Sequence, residues 1–103
     1  MKPLVHPSIE DVTLPGLFYA LGDPARLSIV KSLYQAKTHL TCQQAVDGIE
    51  NLPVSTRSHC FRILREAGVI RTEKQGRECY NSLRLDELNN KFPNVLQTIL
   101  KAC

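Results

Sequence analysis

The sequence predicts a mainly α-helical domain with a small β-hairpin. Three observations predict it. Apolar residues recur at helical spacing in several short runs, most of them introduced by a capping residue or a proline. Gln75-Gly76 separates two short stretches suited to strands. The chain has 103 residues, 43% of them apolar, which suits one globular domain.

The elements follow in order. Residues 1–14 read as an extended N-terminal arm with one short helical turn. Pro15 opens an apolar helix through Gly-Leu-Phe-Tyr-Ala-Leu that ends near Gly22. Asp23 is an N-cap and Pro24 a first helical residue. The helix they start carries Leu27, Val30, Leu33 and Tyr34 and ends around Gln35–Lys37. Thr41 caps a third, short helix through Val46, which Asp47-Gly48 ends. Residues 50–53 are a turn. Ser55 caps a fourth helix to Ala67, and Gly68 stops it. Residues 69–74 and 77–83 form strands around Gln75-Gly76. Asp86 caps a last helix, which Pro93 breaks or restarts. Two helices joined by a tight turn and followed by a basic hairpin describe a winged helix-turn-helix. The arm is thus 1–14, and 15–103 is the winged helix-turn-helix domain.

Residues 1–13 hold no apolar run like that of a signal peptide. The longest run, Leu17–Leu21, is far short of the ~20 residues of a membrane span. A cytoplasmic protein without membrane contact is expected, its thiols reduced. Cys42, Cys60, Cys79 and Cys103 form no C-x2-C pair, which excludes the usual zinc motifs. No nucleophile–base–orienter set and no Gly-rich phosphate loop is visible, so an enzyme is not expected.

Charge is distributed unevenly. Residues 53–84 hold seven basic and three acidic residues, a net +4, whereas the remainder is −1. A local field of this sign attracts a polyanion. Charge alone fits a solvated surface equally well; the turn before the fourth helix and the hairpin after it favour DNA. On that helix, Cys60, Ile63, Leu64 and Ala67 fall on one side, flanked by Phe61. Ser55, Ser58, His59, Arg62 and Glu66 fall on the other. Short hydroxyls admit a helix closely to a major groove, and Arg62 reaches a phosphate or a guanine edge. The candidate DNA contacts are Ser55, Thr56, Arg57, Ser58, His59 and Arg62, with Lys74, Gln75 and Arg77 from the hairpin. Thr56 and Arg57 lie nearer the core side by angle.

Three motifs carry a family resemblance. Residues Leu52 to His59 with Phe61-x-x-Leu64-Arg65-Glu66-Ala67-Gly68-Val69-Ile70 resemble the recognition helix of ArsR/SmtB-type winged-helix repressors. Leu21-Gly22-Asp23-Pro24-Ala25-Arg26-Leu27-Ser28-Ile29-Val30 resembles their second helix, and Lys74-Gln75-Gly76-Arg77 with Tyr80 their wing. The resemblance covers roughly residues 15–100. It implies a homodimer, joined through the first and last helices, that represses transcription from a palindromic double-stranded operator. Leu17–Leu21 and Val95–Leu100 suit that dimer. Two-fold symmetry sets half-sites roughly 34–36 Å apart if consecutive grooves are used. Two departures stand out: Pro53 occupies a position usually held by Ser or a similar cap, and Cys60 one often held by His.

The metal sites implied by the family are incomplete. The third helix has Cys42 but no Cys-x-Cys pair, and residues 86–102 contain no His. No metal cofactor is expected. The possible thiol sensors are Cys42, whose pKa a helix N-terminus would lower, and Cys103, at an exposed end. Cys60 and Cys79 read as small core fillers. His6 and His39 read as solvated. A metal response through a non-standard site, an organic ligand, or no ligand remain open as inducers. A winged-helix protein-interaction module without DNA binding is the alternative function.

Overall fold

The computed structural model describes residues 2–103, with side chains from Leu4 onward. A two-residue strand β1 (Lys2–Pro3) and a 3-10 turn at Ile9–Asp11 precede the helices. Then come α1 (Leu14–Leu21), α2 (Pro24–Ala36), β2 (Leu40–Thr41), α3 (Cys42–Val46) and α4 (Val54–Glu66). The hairpin is β3 (Ile70–Gln75) and β4 (Glu78–Leu83), followed by α5 (Leu85–Lys91) and α6 (Val95–Lys101). The architecture is the expected one, mainly helical with a small antiparallel sheet. The sheet is wider than the hairpin alone. Its order is β1-β3-β4-β2, because β1 pairs with β3 and β2 with β4. Two-residue strands have no periodicity to read, which is why the sequence did not reveal them.

Three helices start as their caps dictate. Thr13 Oγ1 accepts from Gly16 N, and Asp23 Oδ2 accepts from Arg26 N, each at 3.1 Å. Thr41 and Gln44 form a reciprocal capping box, with bonds of 3.1 and 2.9 Å. Two expectations need correction. Ser55 does not cap α4: Pro53 stands at the cap, with φ −61° and ψ 150° and no side-chain acceptor. Ser55 therefore sits inside the first turn. Asp86 does not cap α5 either. The Arg84 amide donates to Val69 O at 3.0 Å, so the chain leaves the ladder there and turns into the helix two residues sooner. Asp86 and Glu87 fall in the first turn, where carboxylates favour the helix dipole. Pro93 divides the final helix into two, with Asn94 left-handed at φ 62° between them.

One core joins all layers. Leu17 and Ala20 of α1, Ile29 and Val30 of α2, and Leu64 of α4 are fully buried. Val69 and Ile70 carry the core into β3, and Leu88 and Leu96 close it from α5 and α6. Cys60 is also buried, as expected of a gap filler.

The N-terminal segment is strapped down. Leu4 N donates to Thr72 O at 3.1 Å, and Thr72 N donates to His6 Nε2 at 2.8 Å. Arg84 Nη1 donates to Pro7 O, and Lys91 Nζ donates to the carbonyls of Ile9, Glu10 and Val12. His6 is therefore not simply solvated. Burial, then the nearby Arg71 and Arg84, hold its pKa below the usual imidazole value, which keeps the acceptor nitrogen free. His39 is exposed, as expected.

Gly68 terminates α4 with φ +82°. Val69 N donates to Leu64 O and Gly68 N to Arg65 O, the bond pair of a Schellman stop. A Cβ on Gly68 would lie 2.3 Å from Val12 Cγ2. Gly68→Ala meets both the left-handed backbone penalty and this clash. We expect a loss of about 3 kcal/mol and a Tm lower by roughly 12–24 °C, read by thermal melts.

Arg84 is buried, and its guanidinium spans both Glu87 oxygens at 3.0 Å. That bond, more than the partly exposed Arg71 at 3.3 Å, holds the Glu87 pKa below the ordinary carboxylate value. A carboxylate with a depressed folded pKa stabilises above its unfolded pKa. The contribution is lost as pH falls through the folded value. Glu87→Gln should lower Tm at pH 7, and the difference from the wild type should vanish in acid.

Candidate nucleic-acid interface

The turn between α3 and α4 is built from left-handed residues. Gly48 has φ +95° and Asn51 φ +57°. They bring α4 across α2, so that its inner residues Cys60, Phe61 and Leu64 enter the core. The opposite face is open. Ser55, Thr56, Ser58, His59 and Arg62 are all exposed. Ser55, Ser58, His59 and Arg62 line one shallow cleft, together with Arg65. Arg62 Nη2 lies 3.2 Å from His59 Nδ1, which orients the guanidinium along the helix. Two arginines, two hydroxyls and an imidazole on one open face form a hydrogen-bonding surface suited to phosphates and base edges.

The structure separates Arg57 from this group. Arg57 is half-buried and turned toward α3, where its Nη1 donates to Gln43 Oε1 at 3.0 Å. Its Nε is buried without a hydrogen-bond partner among the described residues. The angular reading had already set Arg57 nearer the core. Two residues on the open side were missed. Arg65 lies one turn beyond Arg62, and that i, i+3 spacing was the available signal. Val54 is 70% exposed at the first position of α4; only the shift of the helix start revealed it.

Lys74, Gln75 and Arg77 are exposed at the tip of the β3–β4 hairpin, away from the α4 cleft. The register pairs Gln75 with Glu78, so Gly76 and Arg77 form a two-residue loop. Gly76 supplies the left-handed backbone, φ +63°, that such a loop needs.

The cysteines differ from expectation in two respects: Cys42 is not activated, and Cys79 is half-buried beside a cavity instead of filling the core. Burial pushes the Cys42 thiol up, not down. The hydrogen bond from Asn81 only partly opposes that, so desolvation outweighs the helix N-terminus. Burial raises Cys60 as well. Cys103 is exposed, its thiol donating to Ile99 O at 3.4 Å. Cys79 is half-buried and borders a cavity that Cys42 also lines. Among the described residues, no three His, Cys, Asp or Glu side chains converge as metal ligands. Among the described residues, no helix is long and apolar enough to cross a membrane.

No protein-family model matches the chain. Among curated proteins it is similar to the HTH-type transcriptional regulator YceK of Bacillus subtilis. The two are 37% identical over 90 residues, 87% of this chain and 89% of that protein. Among solved structures it is similar to the ArsR family transcriptional regulator RHA00566, with a TM-score of 0.67 at 21% identity. That match covers 96% of this chain and 99% of the other. The transcriptional repressor BigR of Xylella fastidiosa superposes with a TM-score of 0.59 at 21% identity, over 77% of this chain and 85% of BigR. Similarity to YceK over nearly the whole of both chains, on a helix-turn-helix with an open polar face, places this chain among the HTH-type transcriptional regulators, DNA-binding proteins, here with the ArsR-type winged fold.

Proposed function

We propose that the chain is a homodimeric repressor that reads a palindromic operator through α4. The observation that carries this reading is the open face of α4, where Ser55, Thr56, Ser58, His59 and Arg62 point outward from a helix anchored by Cys60, Phe61 and Leu64. In this reading those residues enter the major groove. Arg65 takes a flanking phosphate, and Arg57 supports the helix from the α3 side through Gln43. Lys74, Gln75 and Arg77 reach the neighbouring backbone or minor groove from the hairpin tip.

Dimerisation is supported by exposed apolar surface on α1. Phe18 and Tyr19 are 50% and 66% exposed while Leu17, Ala20 and Leu21 of the same helix are buried. Half-buried Val95 and Ile99 on α6 extend the apolar surface available to a partner. A thiol response is the form of regulation that the cysteines favour. Cys103 is exposed, and Cys42 borders the underside of α4.

Selection from a random-sequence DNA pool tests the proposal, with enrichment of a palindrome expected. On the selected duplex, Arg62→Ala should cost about 1–3 kcal/mol in affinity and relax preference at one position. Lys74→Ala should weaken all sequences alike and reduce the salt slope by about 1. An unchanged slope removes the hairpin from the footprint. Phe18→Asp should give a monomer by sedimentation and abolish tight binding to the palindrome; a variant that remains dimeric places the interface elsewhere.

A further inference from the structure

Two cysteines, Cys42 and Cys79, line one cavity beneath α4. β2 and β4 run antiparallel, with Leu40 opposite Asn81 and Thr41 opposite Tyr80. The pairing ends there, and one further step of the same register, at the first residue of α3, would bring Cys42 to Cys79. Alternation along β4 puts Cys79 on the same face as Asn81, and Cys42, the first residue of α3, meets that face through Asn81. The Asn81 carboxamide marks that face. Its Nδ2 lies 3.3 Å from Leu40 O and 3.4 Å from Cys42 Sγ. Residues directly opposite in an antiparallel pair have Cα atoms about 4.5–5.5 Å apart. A disulfide needs about 4.4–6.8 Å.

Both cysteines line a cavity of about 240 Å³ whose other wall is α4, through Arg57, Ser58, Phe61 and Arg65. Both are half-buried, whereas Cys60 is sealed in the core. The cavity gives a small oxidant a place to meet them.

We propose that Cys42 and Cys79 form a reversible intramolecular disulfide, an oxidation site for hydroperoxides that controls the position of α4. The Cys79 thiolate attacks the peroxide oxygen, becomes a sulfenic acid and releases an alcohol or water. Cys42, desolvated and the poorer first nucleophile, then displaces the sulfenic hydroxyl as water and closes the S–S bond. Two thiols and one hydroperoxide thus give one disulfide, one alcohol and one water, and a dithiol reductant reverses the change. The coupling to α4 is local. Drawing Cys42 onto β4 breaks its contact with Asn81 and moves the adjacent Gln43, which holds Arg57. The control of DNA affinity rests on the reading of α4 proposed above; the disulfide itself does not.

The test treats the reduced full-length protein with hydrogen peroxide, then alkylates it. The expected result is a mass loss of about 2 Da from one closed disulfide and a peptide in which Cys42 is joined to Cys79, with Cys60 and Cys103 unlinked. Affinity for the selected duplex should fall about tenfold, within the usual range of coupling between sites, and return with dithiothreitol. Amide exchange across residues 54–66 should change in parallel. Cys42→Ser and Cys79→Ser should bind DNA like the wild type and keep that affinity in peroxide, while Cys103→Ser stays sensitive. A peptide map with Cys42 and Cys79 separately modified overturns the disulfide. A closed disulfide with unchanged exchange across residues 54–66 overturns its control of α4. Neither the peptide map nor the exchange measurement uses DNA, so a failure of the operator reading is seen separately.

Discussion

The close approach of Val12 to Gly68 is the contact on which the two outward-facing parts of this molecule depend. Gly68 stops α4 with its left-handed backbone and sends the chain directly into β3. The hairpin therefore leaves α4 at an angle fixed by two hydrogen bonds and one glycine. Val12 seals the turn from outside, and Lys91 holds Val12 in place by its carbonyl. The relative placement of the α4 face and the hairpin tip is thus decided by packing at the base of both.

A second constraint lies within the sheet. Asn81 is completely buried, and it is satisfied on two sides. Its Oδ1 accepts from Thr72 Oγ1 at 2.8 Å, across the β3–β4 pair. Its Nδ2 faces Leu40 O and Cys42 Sγ. A buried amide left without partners would cost about 1–3 kcal/mol, so Asn81 fixes where β2 and the start of α3 dock on the hairpin. The same amide sets the environment of Cys42. The thiol is desolvated by the packing that Asn81 enforces, which is why a position at a helix N-terminus does not acquire a low pKa.

These constraints explain how a small chain combines a rigid frame with open chemistry. The inner residues of α4 are held by the core, so its outer serines, histidine and arginine need no bonds to the rest of the fold. Arg57 is the exception, tied to Gln43 and half-buried above the cavity that Cys42 and Cys79 share. Ser58 and Arg65 line both the outer cleft of α4 and the cavity, so the thiols lie one helix away from the candidate DNA contacts.

Much of this was legible in the sequence. Asp23-Pro24 and Thr41 announce helix starts through bonds made within four residues, and Gly68 and Gly76 mark positions where only a left-handed residue fits. The core side of α4 follows from the 3.6-residue period, because a helix has no freedom to choose which residues share a face. Features set by distant partners were not legible. Ser55 and Asp86 have the chemistry of caps, but the true starts are set by Pro53 and by the Arg84 amide bonding Val69. His6 looked solvated until β3 supplied an amide for it, and Cys42 looked activated until Asn81 and α4 closed over it. The physical reason is one of range. Caps, turns and periodicity are local and are written in adjacent residues, whereas strand pairing, burial and desolvation arise only when segments far apart in the chain meet.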